Sequence, residues 1–355
     1  VKIASEKINK LKAKQMPIST EEVKSFKENL PFKLTNAQER TIKEISDDIS
    51  LAKPMRRLVQ GDVGSGKTVV AAVSMYISAK NDTQSVLLCP TEVLAEQHFK
   101  NFSAWFKNSN IKIELLTGKM PVSKRRGIYQ DLEDGVIDIL IGTHAVFQDK
   151  VKMKNLGLVV VDEQQRFGVK QRFDLVKKSS DQIMPHQLFM TATPIPRTLA
   201  MTIFADLETS KIDELPPGRK PVETLVYSDK KKDEIVKRLE TVCKSGNQVF
   251  WLCTMIEESE NLDVQAADEA KEWIKENTNG LNIGLVHSKL SKDQRDKAIE
   301  NFRSGKTDVL VCTTVIEVGM DVPNASLMVI ENAERLGLSQ LHQLRGRVGR
   351  KADLD

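Results

Sequence analysis

Aromatic residues are scarce in this chain, 5% of its 355 positions, and net charge is small, only +4 at pH 7. A protein that grips single strands by stacking their bases needs more aromatic platforms than this, so stacking is not the expected binding mode. The modest charge excludes a histone-like polycation, although it leaves room for a local basic groove. Long apolar runs are also missing. Stretches such as "VLVCTTVI" (Val309–Ile316) fall well short of the roughly 18 apolar residues of a membrane helix, so no membrane partner is expected. The opening "VKIASEKINKLKAK" lacks the apolar centre of a signal peptide. Cysteine is rare as well. Cys89, Cys243, Cys253 and Cys312 show no zinc-type spacing, and three of them lie in or at the end of strand-like runs. Buried, reduced thiols are the expectation, and with them a cytoplasmic location.

What is present is enough for two domains, since a single core rarely grows beyond roughly 250–300 residues. The chain begins at Val1 and stops at Asp355 just after a motif, which suggests a piece of a larger protein. Residues 1–30 read as a lysine-rich helical lead-in, with Ser19 or Thr20 and a nearby Glu21 or Glu22 suited to an N-cap. From residue 55 short aliphatic runs alternate with helix-length segments: "RRLVQ", "SVLLCP", "IKIELLTG", "IDILIGT", "LGLVVVDE" and "HQLFMTAT". Apolar on both faces, they predict a parallel sheet covered on both sides. The Pro-rich "DELPPGRKPVE" (Asp213–Glu223) then reads as a connection. The pattern resumes with "VETLVY", "NQVFWLCTM", "NIGLVHSKL", "TDVLVCTTV" and "ASLMVIE". The expected organisation is α/β throughout: a first lobe over 31–215, a linker at 216–222 and a second lobe over 223–355.

The motif that decides the chemistry is "GDVGSGKT", namely Gly61, Asp62, Val63, Gly64, Ser65, Gly66, Lys67 and Thr68, which fits G-x-x-x-x-G-K-[ST]. Glycines let backbone N–H groups approach phosphate oxygens, and the following helix turns its N-terminus toward the negative charge. Lys67 would reach the β- and γ-phosphates and Thr68 would hold Mg²⁺. A phosphate-loop enzyme also needs an acid delivered to the metal from a second strand. Asp162 follows the apolar run Leu158–Val161 and suits that role, and Glu163 beside it could orient or deprotonate the attacking water. Positive charge for the transferring phosphoryl group is offered by "QLHQLRGRVGR", with Arg345, Arg347 and Arg350. An ATP-binding site completed by arginines from the second lobe is the reading of these residues.

Together the segments resemble superfamily 2 helicases and translocases, and in detail the RecG branch of bacterial DNA repair motors. "LTNAQERTIKEI" is similar to that family's adenine-recognition segment, with Gln38 reading the base edge, and "QGDVGSGKTVVA" to its motif I. "LCPTEVLAEQH", "LLTG" and "IGTHAV" resemble DNA-contacting segments, which implies contacts from Thr91, Gly118, Thr143 and His144. "VVVDEQQRFGV" resembles motif II. "MTATPIPRTLAM" resembles motif III, whose Thr191, Ala192 and Thr193 would couple nucleotide state to lobe movement. "VFWLCTMIEESE", "TTVIEVGMDVPNA" and "HQLRGRVGR" resemble motifs IV, V and VI. From these follow Gly319 and Asp321 as nucleotide contacts, Gln343 as a coupling residue, and Thr313 and His287 as DNA contacts. The resemblance implies two tandem RecA-like lobes and an ATP- and Mg²⁺-dependent duplex translocase that remodels stalled forks and Holliday junctions. It further implies a monomer near the nucleoid, with single-strand-binding protein as a partner of the full-length protein.

Two departures stand out. RecG relatives usually carry Asp-Glu-Gln-His in motif II, whereas this chain has Gln165 in the last place, as does the cousin that couples transcription to repair. Glutamine keeps a donor and an acceptor but does not titrate near neutrality, so hydrolysis is expected to survive with coupling at most altered. The second departure is truncation, because the family's upstream wedge domain and downstream helical hairpin are absent from this sequence. His98 and His144 have no partner at metal-ligand spacing and read as DNA contacts or packing. Trp251 and Trp273 read as core or lobe-face residues rather than base-stacking platforms. Competing functions are an RNA helicase, an ATP-binding module whose catalysis has lapsed, and a helicase–nuclease fusion.

Overall fold

The computed structural model describes residues 12–163, 183–192, 207–215, 222–228, 231–254, 260–313, 322 and 324–349, without the side chains of 260–263, 292 and 339. The chain divides into two compact units, Val1–Pro216 and Pro217–Asp355.

In the first unit, α1 (Thr20–Glu28) starts at a capping box: the Ser19 side chain accepts from the Glu22 backbone N–H while the Glu22 carboxylate reaches back to Ser19. Thr35 and Gln38 open α2 (Asn36–Ile49) in the same way. The remaining elements are β1 (Arg56–Gly61), α3 (Lys67–Lys80), β2 (Gln84–Leu88), α4 (Glu92–Trp105), β3 (Ile113–Leu116), α5 (Val122–Glu133), β4 (Ile139–Gly142), β5 (Leu156–Val161), β6 (His186–Thr191) and β7 (Glu208–Ile212). They form a seven-stranded sheet in the order β3-β4-β2-β5-β6-β1-β7. Every pairing is parallel.

Strand periodicity sorts the core into two layers. Val59, Leu87, Ile139, Ile141, Leu158, Val160, Leu188 and Met190 face the layer containing α1 to α4. Leu58, Val86, Leu88, Leu140, Val159, Val161 and Phe189 face the opposite one, with Ile128 and Leu132 of α5. Each such side chain contributes about 1.5–3 kcal/mol by leaving water. The N-terminal segment does not stand apart from this core: Met16, Val23, Phe26 and Leu30 are buried in it, with Phe26 stacked on Tyr76 of α3 at 4.4 Å.

The second unit comprises α6 (Lys232–Lys244), β8 (Gln248–Cys253), α7 (Glu260–Asn277), β9 (Ile283–Val286), α8 (Lys292–Arg303), β10 (Val309–Thr313), β11 (Ala325–Glu331) and α9 (Leu338–Arg345). Its parallel sheet runs β11-β8-β10-β9. Trp251, on β8, is fully buried in the core against α7, and the half-buried Trp273 packs beside it at 6.1 Å. The expected strand "VETLVY" is not one: residues 222–228 have no regular structure, and Val226 is 96% exposed. Conversely β7 (ETSKI) is a strand that the sequence reading lacks.

All four cysteines are free and buried, and burial pushes the Cys243 thiol up to about 11, which makes it a poor nucleophile. Among the described residues no helix is long and apolar enough to cross a membrane.

Candidate functional site

The loop that leaves β1 is shaped by its own backbone. Val63 N–H donates to Asp62 Oδ1 at 2.9 Å, and Ser65 N–H donates to the Asp62 carbonyl at 3.1 Å. Gly66 carries φ +84°, and a Cβ there would overlap Gln38 Nε2, so a larger residue would be both strained and crowded. As N-cap of α3, Gly66 has no side chain with which to bond the helix's first N–H groups, the arrangement that suits an anion. Ser65 Oγ is buried with no partner among the described residues. Lys67 is itself buried, its ammonium donating to the carbonyls of Gly61 at 2.7 Å and Asp62 at 3.0 Å. An orphaned hydroxyl, a loop folded tightly by glycine and a retained ammonium fit a phosphate chain. Thr68 follows in the first turn of α3, half-buried.

Sheet order assembles the rest. Strands β5, β6 and β1 are adjacent and parallel, so Asp162, Thr191 and the loop leave the same edge side by side. Thr191 lies opposite Gln60 and is fully buried, and Ala192 is buried after it. Asp162 is buried and anchored by its own N–H on the Leu88 carbonyl at 2.9 Å. Burial alone would push its carboxyl up. The hydrogen bond and charge of His98, the Lys67 ammonium and the Glu163 backbone outweigh that and hold it below the usual carboxylate range. Glu163 takes φ +51°, a left-handed turn that bends the chain sharply off the strand.

His98 is the residue that sequence reasoning missed. It is neither a surface contact nor mere packing: from the second turn of α4 its Nε2 lies 2.9 Å from Asp162 Oδ2. A signal for it existed in the helix following β2, which crosses the sheet next to β5 and carries a polar His in an otherwise apolar buried set of Ala95 and Phe102.

Gln38 sits between cap and loop: Oε1 accepts from Thr35 N–H at 2.8 Å and Nε2 donates to the Ser65 carbonyl at 2.8 Å. A primary amide bonded once at each end still has an N–H and a lone pair, enough for a paired contact with a base edge. Helix α2 is tied in turn to the end of β7, through Arg40 to Asp213 at 2.9 Å and Ala37 N–H to Glu214 Oε2 at 3.2 Å.

Thr91, Gly118 and Thr143 follow β2, β3 and β4, which are neighbours in the sheet, so all three come to the same edge as Asp162. Thr91 caps α4, its hydroxyl accepting from Leu94 N–H at 3.4 Å. Gly118 and His144 are exposed, and Thr143 is buried. In the second unit His287 follows β9 and Thr313 ends β10, both buried, and His287 Nδ1 has no partner among the described residues. Gln343 lies on α9. Arg347 lies in the turn just after it, its backbone N–H donating to the Leu344 carbonyl at 2.9 Å. Gln165, Thr193, Gly319, Asp321 and Arg350 lie outside the described residues.

Comparison with known proteins follows the same division. Residues 35–202 match the family model of the DEAD/DEAH box helicases and residues 230–352 that of the helicase conserved C-terminal domain. The ATP-dependent DNA helicase RecG of Haemophilus influenzae is 52% identical over 327 residues, 92% of this chain and 47% of the relative. The chain belongs to the RecG family of superfamily 2 helicases. The RecG of Aquifex aeolicus is 49% identical over 348 residues, covering 98% of this chain and 44% of its own length. A solved structure of RecG bound to a three-way DNA junction aligns over 98% of this chain and 45% of that one, with a TM-score of 0.79 and 41% identity. The two parallel-sheet units are therefore RecA-like lobes, and the chain spans about half the length of the RecG relatives it matches.

Proposed function

We propose that this chain is the ATP-hydrolysing core of a DNA translocase that acts on branched DNA, remodelling stalled forks and Holliday junctions in repair and recombination. The observation that carries this reading is the convergence of the phosphate loop, buried Asp162 and Thr191 on one edge of the first lobe's sheet. The names of the RecG relatives, and a neighbour bound to a three-way DNA junction, support DNA rather than RNA as the track.

In this reading the first lobe spans 31–215 after the lead-in 1–30, and the connection 216–222 leads to the second lobe at 223–355. The loop 61–68 holds the phosphates of ATP by backbone N–H groups, and Lys67 leaves its two loop carbonyls for the β- and γ-phosphate oxygens. Gln38 presents its remaining N–H and lone pair to the adenine edge, while Gly319 and Asp321 add contacts from the second lobe. Thr68 and Asp162 are the residues that would hold Mg²⁺. When bound, that ion neutralises charge developing on the phosphates. Glu163 orients the attacking water and accepts its proton. Arg347 and Arg350 stabilise the phosphoryl group when the lobes close. Gln165, Thr191, Ala192, Thr193 and Gln343 pass the nucleotide state on to lobe movement.

The grip on the track comes from Thr91, Gly118, Thr143 and His144 in one lobe and His287 and Thr313 in the other. Contacts of this kind are made to phosphates, so binding is sequence-blind and weakens with salt. The protein works as a cytoplasmic, nucleoid-associated monomer, with single-strand-binding protein recruiting the full-length form. The test is steady-state ATP hydrolysis alone and with duplex, fork, single-stranded DNA and RNA, with Lys67→Ala as the blank. Strong stimulation by duplex or fork DNA is expected. A wild-type rate equal to the blank on every polymer would overturn the reading.

A further inference from the structure

A buried imidazole on the acid of motif II is not accounted for by any step above. Asp162, once ionised, only accepts hydrogen bonds, so the 2.9 Å contact with His98 requires the hydrogen to sit on His98 Nε2. Both side chains are almost fully enclosed, 8% and 12% exposed, so water does not compete for the bond. The ring is also fixed from behind. Its edge-on contact with Phe102, one turn further along α4, has a centroid distance of 6.5 Å and an interplanar angle of 77°. Phe102 in turn stacks on Phe106 at 5.7 Å, inside the core. Among the described residues His98 Nδ1 has no partner, and the polar contact of this imidazole is Asp162. A histidine kept only for packing would be replaced by leucine or methionine without leaving a buried nitrogen unsatisfied, and Ala95 on the same face shows that α4 accommodates apolar residues there.

From this geometry we propose that His98 is a positioning residue: it fixes the rotamer of the Asp162 carboxylate by bonding Oδ2, and so sets the direction in which the remaining lone pairs meet the metal–nucleotide complex. A carboxylate with free rotation would lose part of its pull on the ion, because outer partners of metal ligands typically govern about 10–100-fold in affinity. The proposal rests on the phosphate-loop reading of the site, and the experiment separates the two. Binding of Mn²⁺, with a non-hydrolysable ATP analogue present, is followed by electron paramagnetic resonance in the 355-residue chain, its Lys67→Ala variant, His98→Gln and His98→Met. Gln places an amide N–H close to the position of Nε2, whereas Met fills the volume without a donor. Thermal midpoints report whether each variant folds. The expected result is Mn²⁺ affinity near wild type for His98→Gln and a loss of about 10-fold or more for His98→Met. Wild-type affinity in a folded His98→Met variant would overturn the proposal. So would a folded His98→Gln variant that loses affinity as Met does, and this second criterion holds even where Met prevents folding. If wild type itself binds no better than Lys67→Ala, the reading of the site fails, not the role of His98 within it.

Discussion

The two lobes end a corresponding strand in the same way and then use it differently. β5 lies beside β2 and β11 beside β8; in each lobe the strand's tip carries an acid, just after β5 and as the last residue of β11, and the next residue is a non-glycine in the left-handed region. In the first lobe these are Asp162 and Glu163 at φ 51°, in the second Glu331 and Asn332 at φ 48°. The supporting bonds also repeat. Gln84 Nε2 donates to the carbonyls of Leu132 and Ile137, as Gln248 Nε2 does to those of Phe302 and Thr307. Asp138 accepts from Lys112 N–H at 2.7 Å, as Asp308 does from Asn282 N–H at 2.8 Å. What differs is the acid's partner. Asp162 meets an imidazole held rigidly in the core, whereas Glu331 meets the Lys232 ammonium at 2.7 Å, which also lies 5.1 Å over the Trp273 ring. One scaffold thus carries an imidazole-bonded acid in one lobe and an ammonium-paired acid in the other.

The comparison can be sharpened from the side of the second lobe, whose contribution to chemistry is expected to come from arginine. Arg347→Ala should lower DNA-stimulated turnover by about 10³-fold while nucleotide still binds, measured as kcat beside a binding isotherm. An unchanged kcat would remove the second lobe from catalysis. Smaller in effect is Gln38→Ala, expected to raise KM for ATP by about 10-fold through two lost hydrogen bonds and to leave GTP hydrolysis nearly unaffected. Equal losses for both nucleotides would mean that Gln38 acts only as cap and loop brace.

A pH dependence separates the lobes as well. His186, in β6, accepts from Met55 N–H through Nδ1 at 2.9 Å, so its Nε2 donates to the Lys14 carbonyl at 2.7 Å and the ring is neutral. Burial holds its pKa below the ordinary histidine value, against the opposing pull of the Lys14 carbonyl and Asp48. The unfolded chain therefore binds the proton more readily. The stability this site contributes is complete above about pH 6.5 and is lost as pH falls toward the folded value, by at most about 1.4 kcal/mol per pH unit. The unfolding midpoint of the chain should show this slope, and His186→Gln should flatten it. The smallest effect expected is that of Lys232→Met. Its side chain is 42% exposed, so the pair with Glu331 contributes under about 1 kcal/mol in a denaturant titration.

Much of this architecture is legible in the sequence because it is written locally. The phosphate loop needs its glycines and lysine within a short run, and strands buried on both faces can be apolar throughout, as β4 and β5 are. The errors lie where local pattern and tertiary position disagree. β7 pairs only with β1 at the sheet edge, so of its five residues only Ser210 and Ile212 are buried and its composition looks like a loop. The run at 222–228 is rich in β-branched and aromatic residues yet has no strand partner among the described residues. His98 is hidden for a different reason. Its meaning depends on a contact 64 positions away, set by how α4 crosses the sheet, and no spacing rule along the chain carries that distance.

The most direct test of the account is the ATP turnover of Asp162→Asn beside that of Glu331→Gln, both with saturating fork DNA. The two changes remove one charge each from corresponding strand tips. Loss of at least about 100-fold for Asp162→Asn, with Glu331→Gln close to wild type, is the predicted result. Equal losses in the two variants, or an Asp162→Asn protein that still turns over, would contradict it.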